Sequence, residues 1–170
     1  AILSLVETEV PKVYFVIGHG EAGLAAAGTG ALAQRSLTVL ADALRRENME
    51  AADVSLLSGE VPSDADVIVI VGPTTAFTEA EIAALGAYLD GGGRLLVALD
   101  PLIEPDGTMR STRLEAFLAD RGVLVGDDLV VDPSRKLPFF DLSAVYLSDF
   151  AAHPVTQGLE GIAVLFTVTR

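Results

Sequence analysis

The chain contains no cysteine, so disulfides, thiolate metal sites and a cysteine nucleophile are all excluded. That absence does not fix a cellular compartment. Nor does any uninterrupted apolar run approach the ~20 residues that a membrane-spanning helix requires, although 51% of the residues are hydrophobic. Basic side chains are scarce: 11 Lys and Arg stand against 24 Asp and Glu, a net charge of −13. A surface of that sign repels phosphate backbones and anionic lipids on average, so nucleic acid is not expected as a partner. No G-x-S-x-G elbow occurs, and the serines lie away from strand-to-helix turns, which leaves a hydrolase triad of the α/β type without support. Internal repeats and low-complexity tracts are also missing. No signal peptide is visible; the chain opens mid-pattern at Ala1-Ile2-Leu3 and stops at Thr169-Arg170 after a strand-like run. It therefore reads as a piece of a longer protein.

What is present is a strong alternation of strands and helices. At 170 residues the length fits one domain, with ~70% of the unfolded surface available for burial. Val67-Ile68-Val69-Ile70-Val71 is a continuous β-branched run, the pattern of a strand covered on both faces, and Gly72-Pro73 ends it. Thr78-Glu79-Ala80-Glu81 reads as a capping box, in which the Thr78 hydroxyl meets the Glu81 N–H and the Glu81 carboxylate meets the Thr78 N–H. Ile82, Leu85 and Leu89 then fall on one helical stripe, and Gly91-Gly92-Gly93 supplies the left-handed turn that closes a helix. Arg94 to Leu99 is expected as a second buried strand, which completes a βαβ unit. Upstream, Lys12 to Ile17 reads as the first strand, about Gly30 to Asn48 as a helix with a Leu37, Leu40, Leu44 stripe and Arg45-Arg46 at its end, and Val54 to Leu57 as a second, shorter strand. Downstream, Thr112 and Glu115 offer another capping box, with Leu114, Phe117 and Leu118 as the apolar face. Val123 to Val125 and Leu129 to Val131 suggest extended pieces, Pro133 to Phe140 an irregular stretch, and Ile162 to Val168 a last strand. The order β-α-β-β-α-β-α-β indicates an α/β fold with a doubly wound, mostly parallel sheet.

Several residue groups invite a chemical reading. Gly18-His19-Gly20-Glu21-Ala22-Gly23 matches G-x-G-x-x-G after a strand. A dinucleotide fingerprint also needs a helix opening inside the motif and an acid ~20 positions later at the end of the second strand; here the second strand is expected to end too late, at Leu57-Ser58. His19 with Glu21 could orient a substrate or bind a metal at the carboxyl edge of the first strand, where open α/β sheets place ligands. The alternative is a loop in which His19 hydrogen-bonds backbone and Glu21 caps the following helix. A metal site needs three or four ligands and His153 is the only other imidazole, so no metal or other cofactor is expected. Asp127, Asp128 and Asp132 could hold a hard cation through oxygen or form a solvated turn. Asp100, at the tip of a strand, could contact a ligand, but Pro101 after it removes the backbone N–H that an oxyanion hole would use. Thr74 and Thr75 add hydroxyls at the same sheet edge. His19, Glu21, Thr74 and Asp100 are thus the ligand-binding candidates, and no catalytic residue is assigned.

Taken in order, Val13 to Glu21, Val61-Pro62-Ser63-Asp64-Ala65-Asp66-Val67, Gly72-Pro73, Thr78 to Ile82, Gly91 to Val97, Asp100-Pro101, Gly126 to Pro133 and His153-Pro154-Val155-Thr156 resemble the ABC-transporter auxiliary domain family, which includes gliding-motility ABC transporter auxiliary components. The resemblance spans nearly the whole chain. It implies one auxiliary domain over residues 1–170 with a flavodoxin-like or class I glutamine amidotransferase-like three-layer sandwich, similar also to the amino-terminal domain of an intraflagellar transport protein. In amidotransferases the strand matching Arg94 to Leu99 leads to a Cys elbow. This chain has Asp100-Pro101 there, so the resemblance implies a non-catalytic binding or assembly domain, extracytoplasmic, in a parent anchored to the membrane by helices absent from this sequence. ABC permease and ATPase subunits or other membrane-complex proteins are then the expected partners, with a glycan or peptide as ligand. The alternative is a divergent hydrolase of sugars or amides, which would gather His19, Asp100 and the Gly72-Pro73 loop around one common point.

Overall fold

The computed structural model describes residues 10–24, 36–135 and 143–167. The expectations that fall on residues 25–35 and 136–142, including the helix start at Gly30, lie outside the described residues. The described residues of 1–99 and 111–123 form one compact unit, and those of 100–110 and 124–170 form another.

The first unit is built on a parallel sheet of β1 (Lys12–Val16), β2 (Glu50–Val54), β3 (Val67–Val71) and β4 (Arg94–Ala98), in the order β2-β1-β3-β4. The chain winds out from β1 to β2 on one side and from β3 to β4 on the other, so the order reverses between β1 and β3. In open α/β sheets that reversal opens a crevice at the carboxyl ends of the strands. β3 is the central, two-faced strand that its β-branched run predicts. Ile68 and Ile70 are fully buried in a core with Val16, Leu56, Phe77, Leu85, Leu114 and Phe117, whereas Val69 joins Val13 and Phe15 on the opposite face. Helix α2 (Glu79–Asp90) and α3 (Leu114–Ala119) cover the first face; α1 (Thr38–Arg46), through Leu44 and the preceding Leu37, covers the second.

Local chemistry explains most of these boundaries. Thr78 and Glu81 form the reciprocal capping box, and Gly92, at φ +92°, makes the left-handed turn after α2. Asp66 and Asp64 tie the approach to β3 back to the start of β1. The Lys12 N–H donates to Asp66 at 2.8 Å, and the Lys12 ammonium and the Tyr14 hydroxyl donate to Asp64 at 2.7 and 3.1 Å. The hydrogen bond from Lys12 is the main reason that the Asp64 carboxyl titrates below its ordinary range.

Four expectations are corrected. The second strand is Glu50–Val54, not Val54 to Leu57, because pairing with β1 from Lys12↔Glu50 to Val16↔Val54 outweighs the poor strand propensity of Glu-Ala-Ala-Asp; Leu56 enters the core beyond the strand end and Leu57 points to solvent. The first helix begins at Thr38, after Leu37 donates its N–H to Gly23, and its buried residue is Ala41, Leu40 being exposed. β4 is buried on one face only: Leu95 and Val97 pack inward, while Arg94, Leu96 and Ala98 are exposed on a strand at the end of the sheet order. At α3 the Glu115 carboxylate does accept from the Thr112 N–H at 2.9 Å, but the N-cap is Arg113, at φ +70°, and no side chain caps the helix.

The second unit carries an antiparallel pair, β5 (Ala144–Leu147) with β6 (Val164–Thr167), in register from Ala144↔Thr167 to Leu147↔Val164. β6 matches the expected last strand; β5 was too short to register as a pattern. Leu102 and Arg110 pair across a tight loop that the Arg110–Glu104 ion pair closes. Val123 to Val125 and Leu129 to Val131 join no ladder. Among the described residues no helix is long and apolar enough to cross a membrane.

Candidate functional site

His19 sits just past the end of β1, at the reversal of strand order, and is 5% exposed. Gly18 through Leu24 contain no helix, so the glycine motif does not open onto a helix N-terminus as a pyrophosphate cradle would require. The loop instead turns on itself around His19. Its N–H donates to Glu21 Oε2 at 2.6 Å, and its carbonyl accepts from the Thr74 N–H (2.7 Å), the Thr75 N–H (3.1 Å) and the Thr74 hydroxyl (3.1 Å). Gly20 makes this approach feasible: at φ +82° a Cβ there would lie 2.1 Å from Thr74 Oγ1. The β1 and β3 loops are therefore bolted together by backbone and hydroxyl.

The imidazole is bound just as fully. Nδ1 lies 3.1 Å from Glu21 Oε1 and Nε2 lies 3.1 Å from Glu81 Oε2, with both carboxylates almost wholly buried. Phe77 stacks on the ring, with centroids 4.0 Å apart and planes 17° from parallel. Phe77 is itself fixed at both backbone ends, its N–H on the Thr112 carbonyl at 3.0 Å and its carbonyl on the Arg113 guanidinium at 3.1 Å. Glu81 has two duties. The oxygen that receives His19 also accepts from the Thr78 N–H and hydroxyl, both at 2.8 Å. Burial raises the Glu81 carboxyl, but the donors from Thr78 and the neighbouring imidazole outweigh it and hold the group below its ordinary value.

Of the four candidates, His19, Glu21 and Thr74 come together here; Asp100 is exposed and is the first residue of the second unit. Glu81 and Phe77 complete the cluster, and sequence reasoning missed both in this role. Glu81 was legible only as a cap, and no local signal ties it to a histidine 62 positions away. The geometry suits support more than chemistry, since a general base needs a nitrogen within reach of a substrate proton and both nitrogens of His19 face carboxylates. Metal coordination requires ligand distances of ~2.0–2.2 Å to one common ion, whereas these atoms face each other at hydrogen-bond length. Among the described residues no group of three or more His, Cys, Asp or Glu could hold a metal ion. Asp132 accepts from the Ser134 N–H and hydroxyl in a local turn, and Asp127 and Asp128 are exposed.

Two concave surfaces lie apart from this cluster. A shallow groove of about 400 Å³ runs between Gly59–Ser63 and the Ala84, Ala87, Tyr88 side of α2. In the second unit a wider bowl of about 670 Å³ is formed entirely by the stretch from Ser148 to Gly161, and it includes His153.

Comparison with curated proteins found no match. Among solved structures the chain is similar in fold to one described as the mmIFT52 N-terminal domain, with 20% sequence identity and a TM-score of 0.56; the match covers 92% of this chain and 65% of that one. The likeness agrees with the α/β fold read from the sequence. The model of the auxiliary family described as "ABC-type uncharacterized transport system" matches residues 10–168, nearly the whole chain, and the protein belongs to that family.

Proposed function

We propose that this chain is a non-catalytic, extracytoplasmic binding or assembly domain of an auxiliary component of an ABC transport system, carried by a parent protein that membrane helices anchor. Its partners are permease and ATPase subunits of that system. One observation carries the non-catalytic part: the histidine at the switch point of the sheet has both ring nitrogens on buried carboxylates and one face under Phe77, so its imidazole offers no open nitrogen to a substrate at that edge. The end of β4 agrees with it, because Asp100-Pro101 places neither a thiol nor a backbone N–H donor where the related hydrolases keep their nucleophile. Membership of an ABC transport-system family supports transporter subunits as partners in general; the extracytoplasmic placement rests on the resemblance read from the sequence. Two measurements test the reading. Purified protein incubated with amide and glycoside substrates should give no turnover, and affinity purification of the full-length, membrane-embedded parent should recover an ATPase and a permease. Turnover that disappears in His19→Ala would favour the divergent-hydrolase reading instead.

A further inference from the structure

The bowl in the second unit differs from the cluster around His19 in that several of its polar side chains, Ser148, Gln157 and Glu160 among them, are exposed. Its wall is one continuous stretch, Ser148 to Gly161, that organises itself through short-range bonds. The His153 carbonyl accepts from the Thr156 and Gln157 N–H groups at 2.9 and 3.0 Å, and the Leu159 and Ile162 N–H groups donate to the Thr156 and Leu159 carbonyls at 3.0 Å each. The Thr156 hydroxyl lies 2.6 Å from the Ala151 carbonyl. The Val155 N–H donates to His153 Nδ1 at 3.1 Å, which assigns the proton of a neutral ring to Nε2.

The groups left over define the ligand. Among the described residues, the Ser148 hydroxyl, the Gln157 amide, the Glu160 carboxylate and His153 Nε2 have no hydrogen-bond partner, and Phe150 and Leu159 supply half-buried apolar surface. A hydroxyl, an amide, an acceptor-only carboxylate and an N–H donor together match a ligand that donates and accepts at closely spaced points. An extended peptide fits less well, because peptide recognition by strand addition needs open backbone N–H and C=O groups, whereas the N–H groups of residues 155–157, 159 and 162 already donate within the stretch. An anionic ligand is disfavoured, since the lining holds no Lys or Arg and the chain carries a net charge of −13. A volume of about 670 Å³ falls within the ~300–1,000 Å³ typical of small-molecule sites. We infer that the bowl at Ser148–Gly161 is a binding site for a neutral saccharide, its hydroxyls read by Gln157, Glu160, Ser148 and His153 Nε2 and its apolar ring face set against Phe150.

This inference builds on the non-catalytic binding reading above, and one experiment separates the two. The ¹⁵N-labelled chain is titrated with maltotriose and, separately, with triacetylchitotriose at millimolar concentration, and the sugar is recovered afterwards. The expected result is saturable shifts confined to residues 148–161, weakened about tenfold by Gln157→Ala or Glu160→Ala, the loss of a hydrogen bond or two, and unchanged by Val155→Ala, whose side chain is exposed and outside the lining. Each variant is first checked for an unaltered unfolding midpoint. Absence of shifts with both sugars overturns the site, as do shifts at these residues with trialanine alone. Sugar that binds and is recovered cleaved leaves the site standing and refutes the non-catalytic reading.

Discussion

The two histidines of this protein stand in opposite surroundings. His19 is 5% exposed, lies between two buried carboxylates and beneath an aromatic ring, and helps to join the loops after β1 and β3 to the first turn of α2. His153 is exposed, has one nitrogen engaged by the Val155 N–H and the other open, and shares its wall with the exposed side chains of Ser148, Gln157 and Glu160. Residue type alone would rank the first as the better site, since it follows a strand at the switch point of a parallel sheet. Burial and partner count reverse the ranking. Around His19 both ring nitrogens are engaged, and of the buried side-chain polar atoms among the described residues only Glu81 Oε1 lacks a hydrogen-bond partner; a largely paired buried network makes a fold rigid, while recognition needs exposed groups that still have bonds to offer.

That contrast can be broken by mutation, beginning with the largest effect. Phe77→Ala removes a fully buried ring from both the core and the His19 stack and should cost about 4 kcal/mol in urea unfolding; a loss under about 1 kcal/mol would mean that the cluster does not support the fold. Glu81→Ala leaves His19 without one of its two carboxylate partners and removes the capping box, for an expected loss of about 3 kcal/mol. Glu81 also sets an acid limb. Its folded value lies below the ordinary 4.5, so its stabilisation is complete above that value and drains away as pH falls through the lowered one. Unfolding midpoints of wild type and Glu81→Gln should therefore converge as the pH drops below about 4; a constant gap down to the acid transition would assign the difference to packing. Gly20→Ala forces a side chain into the left-handed region against Thr74 and should cost more than about 1 kcal/mol, measured the same way. The smallest effect should come from the second unit: Gln157→Ala ought to leave the unfolding midpoint where it was, because an exposed amide with no bond among the described residues has none to lose.

Much of the architecture was legible because it is written locally. The β-branched run of β3, the Thr78–Glu81 box and the Gly91-Gly92-Gly93 stop each specify backbone geometry within a few residues, and each forms as read. Boundaries failed where pairing overrode propensity. Glu-Ala-Ala-Asp-Val makes a poor strand by composition and becomes β2 because β1 offers a parallel partner. Arg94 to Leu99 is expected as a buried strand and is covered on one face only, since its apolar run does not reveal that it ends the sheet order. The candidate site was half legible: His19, Glu21 and Thr74 do meet, but Glu81 and Phe77 reach them only through the fold.

The sequence by itself determined the alternation of strands and helices, the caps and turns that divide them, the lack of a thiol and the acidic surface, because periodicity, capping and charge act over short stretches of chain. Which histidine is enclosed and which stays open was decided by the tertiary structure alone. Hydrogen-bond partners and solvent access depend on residues tens of positions apart, and only the folded sheet brings Glu81 to His19.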